Sequence, residues 1–273
     1  VRDDLLPTLA CPFCAAHLER HDLGQVGCAN GHRFDEARQG HLTLLPAKRR
    51  ALIADTPEMV DARIRFLGAG HYAPISRALA GAVHVDVPGI ILDVGSGPAT
   101  YLSSVLDSEP KRLGVALDLS PAAIRRAARM HPRIGAVVGD VTERLPIVDG
   151  AAALVLDVFA PRNQREYARV LAPNGRLVVV TPRPGHLAEL AAATIAVDPA
   201  KDERLHASLE PTFELERSED ITWRMQLSGD DVHDVVHMGP SHHHVDPDAR
   251  FEAATVTGSV AVSVWRRARE DGA

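Results

Sequence analysis

Three cysteines and a histidine open the chain in a pattern that can hold a metal. Cys11-x2-Cys14 is the knuckle spacing by which two thiolates reach one ion from a tight turn, and Cys28-x3-His32 supplies a second pair. The stretch "CPFCAAHLERHDLGQVGCANGH" contains every cysteine of the chain. Three thiolates and one imidazole complete a tetrahedron around zinc and leave no open position, which makes the site structural rather than catalytic. His17, His21 and His41 are alternative nitrogen donors, but none pairs with Cys28 as neatly as His32 does. So small a segment has little core of its own and needs the metal to fold.

A second set of groups lies downstream. In "ILDVGSGPAT" Asp93 ends an apolar run and is followed by Gly95 and Gly97. Glycines there let the backbone approach a ligand and turn into the next helix. The dinucleotide fingerprint G-x-G-x-x-G is not met, because Thr100 holds its last position and Pro98 intervenes. A carboxylate directly before the glycines suits a cationic ligand better than a pyrophosphate. S-adenosylmethionine, with its ammonium and sulfonium, is such a ligand. Asp118 in "VALDLS", Asp140 in "VVGDV" and Asp157 in "LVLDVFAP" end three further apolar runs. They are expected to meet the ribose hydroxyls, the adenine amino group and the place where the methyl leaves. Strand-end aspartates also cap helices, but four in order at successive strand ends point to one site.

These carboxylates need a sheet to present them. From residue 89 short apolar strands alternate with helices: "GIILDVG", "RLGVALDLS", "IGAVVGD", "AAALVLDVFAP" and "GRLVVVTP" against "TYLSSVLDS", "SPAAIRRAARMHP" and "QREYARVLAPNG". That rhythm predicts an α/β, Rossmann-like, mostly parallel sheet of the class I S-adenosylmethionine-dependent methyltransferase kind, with a small N-terminal zinc-binding domain. "HLAELAAAT" reads as a helix, and "TFELERSEDITWRMQLSG" and "ATVTGSVAVSVWRRA" as antiparallel strands. In "TPEMVDARIRFLGAG" Thr56 is the expected cap and Pro57 the first helical residue. The division is a zinc-binding RNA-recognition module over 1–45, a helical cofactor-covering linker over 46–85 and the methyltransferase domain over 86–273. The 273 residues carry 45% hydrophobic and 24% charged side chains and a net charge of −6, which excludes a purely electrostatic nucleic-acid binder. Apolar runs are too short to span a bilayer, and "VRDDLLPTLACPFC" lacks an apolar signal region, so a cytoplasmic protein is expected.

Zinc module and sheet together resemble the RlmA family, the 23S rRNA guanine-N1 methyltransferases, and within it the TlrB-like tylosin-resistance subgroup. The carriers are "CPFC", "CANGHRFDEARQGHLTLLP", "DTPEMVDARIRFLGAGHYAPI", "DVFAPRN", "LAPNGRLVVVTPRPGHLAEL" and "MGPSHHHVDP". The resemblance implies methylation of N1 of a guanine in a domain II hairpin that lines the peptide exit tunnel, where some macrolides bind. It implies zinc on Cys11, Cys14, Cys28 and His32, cofactor contacts from Tyr72, Gly97, Pro98 and His186, and a homodimer. Relatives carry a charged or glycine residue at Pro98 and Ala99, and a Trp at His243.

For the chemistry, guanine N1 carries a proton near neutral pH, so a base must take it or the site must stabilise charge on O6. Asp157 is the candidate base, and "FAPRN" after it can bring Arg162 to the base edge. "AKRR" (Lys48, Arg49, Arg50), with Arg63 and Arg65 on the next helix, is the expected grip on RNA phosphates. Arg125, Arg126 and Arg129 read as a solvated face. The alternatives are a small-molecule methyltransferase, which leaves the zinc module unexplained, and a non-catalytic zinc and RNA-binding protein, against which the intact Asp93, Gly95, Gly97 and Asp118 argue.

Overall fold

The computed structural model describes residues 1–22, 24–45, 54–82, 86–195, 198, 201–210, 212–246 and 248–268. The basic segment Lys48, Arg49 and Arg50 lies outside the described residues.

Chain order explains the architecture. The N-terminal module has three short strands, β1 (Glu19–Asp22), β2 (Gln25–Gly27) and β3 (Arg33–Asp35), in an antiparallel sheet. β4 (His41–Thr43) then leaves the module and runs parallel to a strand of the main sheet. Two helices follow, α1 (Pro57–Gly68) and α2 (Ala73–Ala82). Thr56 caps α1 by accepting from the Met59 N–H at 3.3 Å, with Pro57 in the first turn, as its sequence predicts. The alternation comes next: β5 (Ile90–Val94), α3 (Thr100–Ser108), β6 (Gly114–Asp118), α4 (Pro121–Met130), β7 (Ile134–Val138), β8 (Ala152–Val158), α5 (Gln164–Val170) and β9 (Leu171–Pro182). The tail adds α6 (Lys201–Leu209), β10 (Phe213–Leu227), α7 (Gly229–His237) and β11 (Ala254–Arg267).

The main sheet has eight strands in the order β10-β11-β9-β8-β5-β6-β7-β4. The strands from β4 to β9 run parallel, and the β10–β11 hairpin is antiparallel at the far edge. Burial on both faces accounts for the unbroken apolar runs: every residue of β5, β7 and β8 is buried. One face packs on α1 to α4 and α7 through Phe66, Leu79, Leu102 and Ile124. The other packs through Leu92, Val94, Leu117 and Tyr167 on Leu5, Leu9, Val26 and Phe34 of the N-terminal module. The metal module is therefore part of the core of the sheet.

Two elements differ from their sequence expectation. α5 ends at Val170 and β9 begins at Leu171, ahead of the stop expected at Pro173–Gly175. A proline disfavours the helical conformation of the residue before it, which moves the boundary upstream. "HLAELAAAT" forms only a short 3-10 turn over Ala188–Leu190. Leu187 has φ +55°, and its N–H is bonded to Thr257 O at 2.8 Å, so the chain is held to β11 where a helix would start. No helix among the described residues is long and apolar enough to cross a membrane.

Candidate functional site

β5 and β8 are neighbours although their helices lie on opposite sides, and this reversal opens a crevice at their carboxyl ends. β5 delivers Asp93 to it. Gly95 (φ +64°) and Gly97 (φ +54°) then turn the chain into α3 in the left-handed region. The turn is crowded as well as twisted. A Cβ on Gly95 would stand 2.6 Å from Ala160 Cβ, and one on Gly97 would stand 2.9 Å from the Arg63 guanidinium. Gly95→Ala is expected to destabilise the protein by about 1–3 kcal/mol through strain and this clash, read as a lower melting temperature.

The four strand-end aspartates divide. Asp93 is 1% exposed, lines a cavity of about 630 Å³ and has a buried Oδ2 with no hydrogen-bond partner among the described residues. Burial, then the charges of Asp118 and Asp157, pushes its carboxyl well above the ordinary range. An uncompensated buried oxygen facing a cavity fits a cationic group of a ligand. Asp118 acts on the loop itself: its oxygens accept from Gly97 N and Ser120 N, each at 2.8 Å. Asp140 accepts from the Thr142 N–H at 2.9 Å and its hydroxyl at 2.6 Å. Asp157, expected as the base, does not line the cavity. Its carboxylate accepts from the Tyr167 hydroxyl at 2.8 Å and Ala160 N at 3.3 Å, two bonds that shape the turn after β8.

Tyr72 and His186, which the family resemblance expects at the cofactor, both line the cavity, with Tyr72 Oη and His186 Nε2 2.9 Å apart. His186 Nδ1 accepts from the Ser259 N–H at 3.1 Å. In the neutral ring the proton is thus on Nε2, which donates to Tyr72 and leaves the tyrosine its own proton to donate. Burial pushes the Tyr72 phenol well above its usual range, which keeps that proton in place. The sequence reading missed the support behind this pair. Trp223 of β10 donates to His71 O at 2.9 Å and meets Tyr72 edge-on at 5.7 Å. The indole lies over Gly258, where a Cβ would come within 2.3 Å of it.

Arg63 and Arg65, expected in the grip on RNA, are both tied to neighbouring segments. Arg63 lines the cavity, pairs with Asp55 at 2.7 Å and donates to Met238 O. Arg65 forks onto Asp234 of α7 at 2.6 and 2.9 Å. Met238 and Asp234 lie far away in sequence, so nothing local marks these pairings, and the Arg65 side chain stays largely exposed. On α4, Arg126 pairs with Asp61 at 2.7 Å. His243 is exposed on the 3-10 turn Pro240–His244, whose Pro240 and Ser241 line the cavity.

At the other site the structure brings Cys11, Cys14, Cys28 and His32 together with their ligand atoms within 4.8 Å of one another. Cys14 Sγ and Cys28 Sγ are 3.7 Å apart, and His32 Nδ1 is 3.4–3.5 Å from each sulfur. A tetrahedral ion with bonds of about 2.3 Å puts its ligands about 3.7 Å apart, whereas a disulfide needs about 2.05 Å. The first turn is closed by Ala15 N to Cys11 O at 2.8 Å, with Ala15 at φ +60°, and the second by Gly31 N to Cys28 O at 3.0 Å. The Asn30 side chain holds the Cys14 thiol below its ordinary range, while burial pushes Cys11 up. The donor set fits zinc as a structural ion.

Comparison with known proteins follows the same division. Residues 9–51 match the family model of the RlmA N-terminal zinc ribbon, and residues 91–175 match a methyltransferase domain. A Streptomyces fradiae 23S rRNA (guanine(748)-N(1))-methyltransferase is 44% identical over 254 residues, covering 91% of this chain and 90% of its own. A Micromonospora griseorubida protein assigned as a 23S rRNA (guanine-N(1)-)-methyltransferase is 43% identical over 291 residues, covering 96% of this chain and 98% of its own. Among solved structures, a chain of the complex between the Haloferax volcanii Trm112 methyltransferase activator and a methyltransferase matches with a TM-score of 0.51 at 14% identity. It covers 80% of this chain and 100% of its own, and shares the fold.

Proposed function

Because this chain belongs to the RlmA-type family of 23S rRNA guanine-N1-methyltransferases, we propose that it methylates N1 of a guanine in a domain II hairpin of 23S rRNA. The observation that carries the reading is Asp93, a buried carboxylate with an oxygen unpartnered among the described residues, on the wall of a cavity at the sheet's switch point. S-adenosylmethionine supplies an electrophilic methyl group when bound. Asp93 holds its ammonium, and Gly95, Gly97 and Pro98 give it a close backbone wall. Tyr72 donates its hydroxyl proton into the site, with His186 fixing the ring. Asp118 acts through the glycine loop that it clamps, and Asp140 through the turn at Thr142. Positioning and exclusion of water are the main contributions of these residues to an in-line displacement.

The hairpin is gripped on the zinc-module side, with Lys48, Arg49 and Arg50 neutralising phosphates. The relative from Streptomyces fradiae is named for guanine 748. The same position in this chain's rRNA is the proposed target, and macrolide tolerance of the tylosin type is the proposed consequence.

The test is methylation of a domain II transcript with labelled cofactor, followed by fragment mass mapping and primer extension. One fragment is expected to gain one methyl, and reverse transcription to stop at that guanine, because N1 lies on its pairing edge. Methyl transfer only to small acceptors, or a methylated fragment without a stop, would sink the reading.

A further inference from the structure

We infer that the turn after β8 is the acceptor-base subsite, in which Phe159 stacks on the target guanine and Arg162 stabilises the negative charge that gathers on its O6. The inference rests on the proposed function and adds the groups that hold and activate the base.

Two residues of this turn are out of keeping with a purely structural loop. Phe159 is 41% exposed, a large ring left in contact with solvent at the cavity wall. Its φ is +58°, a conformation that a non-glycine residue holds at a cost, and such strain gathers at working sites. Its N–H is pinned to Val180 O at 3.2 Å, and its ring stands 6.4 Å from Tyr72 and 6.0 Å from His186. The turn presses on the glycine loop, since Ala160 is the group a Cβ on Gly95 would strike at 2.6 Å. An aromatic face held against the cofactor wall is a platform for a base turned out of its stack.

Arg162 supplies the second anomaly. It lines the same cavity, and its Nε is buried with no hydrogen-bond partner among the described residues. Such a donor is costly to leave unmade and is satisfied by a ligand oxygen. Guanidinium donors match the O6 edge of guanine, and a fixed positive group there is worth most where charge develops.

The acids and imidazole around the turn are otherwise engaged. Asp157 serves Tyr167 and Ala160. Asp198 is paired with Arg204 at 2.7 Å. His186 Nδ1 is taken by Ser259 N. Asp93 belongs to the glycine loop. What the turn offers the base is a cation rather than a proton acceptor. In the step, the N1–H bond breaks and its proton passes to solvent water, leaving the electron pair shared over N1, C6 and O6. That pair forms the bond from N1 to the methyl carbon, while the carbon–sulfur bond breaks and its electrons remain on sulfur. Arg162 lowers the energy of the anion between these events.

The experiment is single-turnover methylation of the domain II transcript at saturating cofactor from pH 6 to 10, with S-adenosylhomocysteine affinity measured in parallel by calorimetry. Arg162→Met is expected to slow methyl transfer at pH 7 by about 100–1,000-fold, with S-adenosylhomocysteine affinity within about threefold of wild type. The deficit should shrink as pH rises and N1 ionises without help. Arg162→Lys, which keeps the charge, should recover at least roughly tenfold. Phe159→Ala should raise the KM for RNA by roughly tenfold with a smaller effect on kcat. A deficit equal at every pH, or shared equally by Arg162→Met and Arg162→Lys, overturns the role of Arg162. An unchanged KM in Phe159→Ala overturns the stacking. Absence of methylation by the wild type is the separate failure of the proposed function, and the inference falls with it.

Discussion

Asp93→Asn is expected to lower the affinity for S-adenosylmethionine and S-adenosylhomocysteine by about 100-fold or more, while leaving the ligand-free protein as stable as wild type or more so. The side chain is 1% exposed, and one oxygen has no partner among the described residues. A buried carboxylate that meets an ammonium forms a pair whose disruption costs about 3–5 kcal/mol, because one charge is left behind. In the ligand-free protein the same carboxylate is a liability. Burial raises its pKa, so the folded state keeps a proton that the unfolded state has lost. For an acid of raised pKa the folded state binds more protons, and stability falls as pH rises from about 3.9 to the raised value. Asn removes this penalty while keeping the shape. Calorimetry and thermal melts should therefore move in opposite directions, a combination that a merely structural aspartate does not produce. Ligand binding also pulls the proton off Asp93, so wild-type affinity should rise with pH through that same window, and the Asn variant should lose the dependence. Retained tight binding by Asp93→Asn would remove Asp93 from the cofactor site.

What could be read from the sequence follows from what each feature depends on. β5, β7 and β8 are legible because strands covered on both faces must be apolar throughout. The metal set is legible because both pairs are local and close through tight turns. Asp93 is legible because the glycines that make room for a ligand follow it immediately. Asp157 carries the same strand-end signal, and its bond to Tyr167, ten residues on in another element, is not legible from it. Arg63 and Arg65 read as RNA-facing charge, and their pairings with Asp55, Met238 and Asp234 have no local sign. β4 is three residues long and gains its identity only by lying against β7. The strained backbone of Phe159 has no local signature, since phenylalanine is a poor choice for φ +58°. The readings that were missed are those in which a distant partner decides where a charge or a ring points.

Zinc removal separates the two halves of the reaction. Chelation, or Cys28→Ser, is expected to lower the melting temperature by on the order of 10 °C and to abolish RNA methylation, while S-adenosylhomocysteine affinity stays within about threefold. The strands β1, β2 and β3 have only four, three and three residues, too few to stand without the ion. The apolar side chains of the module are nevertheless part of the sheet's own core: Leu9, Leu18, Val26 and Phe34 share it with Leu117, Val137, Leu145 and Ile147. The backbone joins the two parts as well, through Ala10 N to Pro146 O at 3.0 Å and Val148 N to Thr8 O at 2.9 Å. Loss of the ion therefore exposes one face of the sheet and costs several kcal/mol, at about 2–4 °C per kcal/mol for a domain of this size. The cofactor cavity is on the other side of the argument: its lining begins at Arg63 and takes nothing from the metal module. Metal binding requires deprotonated thiols, so the ion should also be lost more readily as pH falls. A zinc-free protein that binds S-adenosylhomocysteine normally but no longer methylates RNA assigns the module to the substrate. Loss of product binding in step with the metal would instead make the module a support for the catalytic sheet alone.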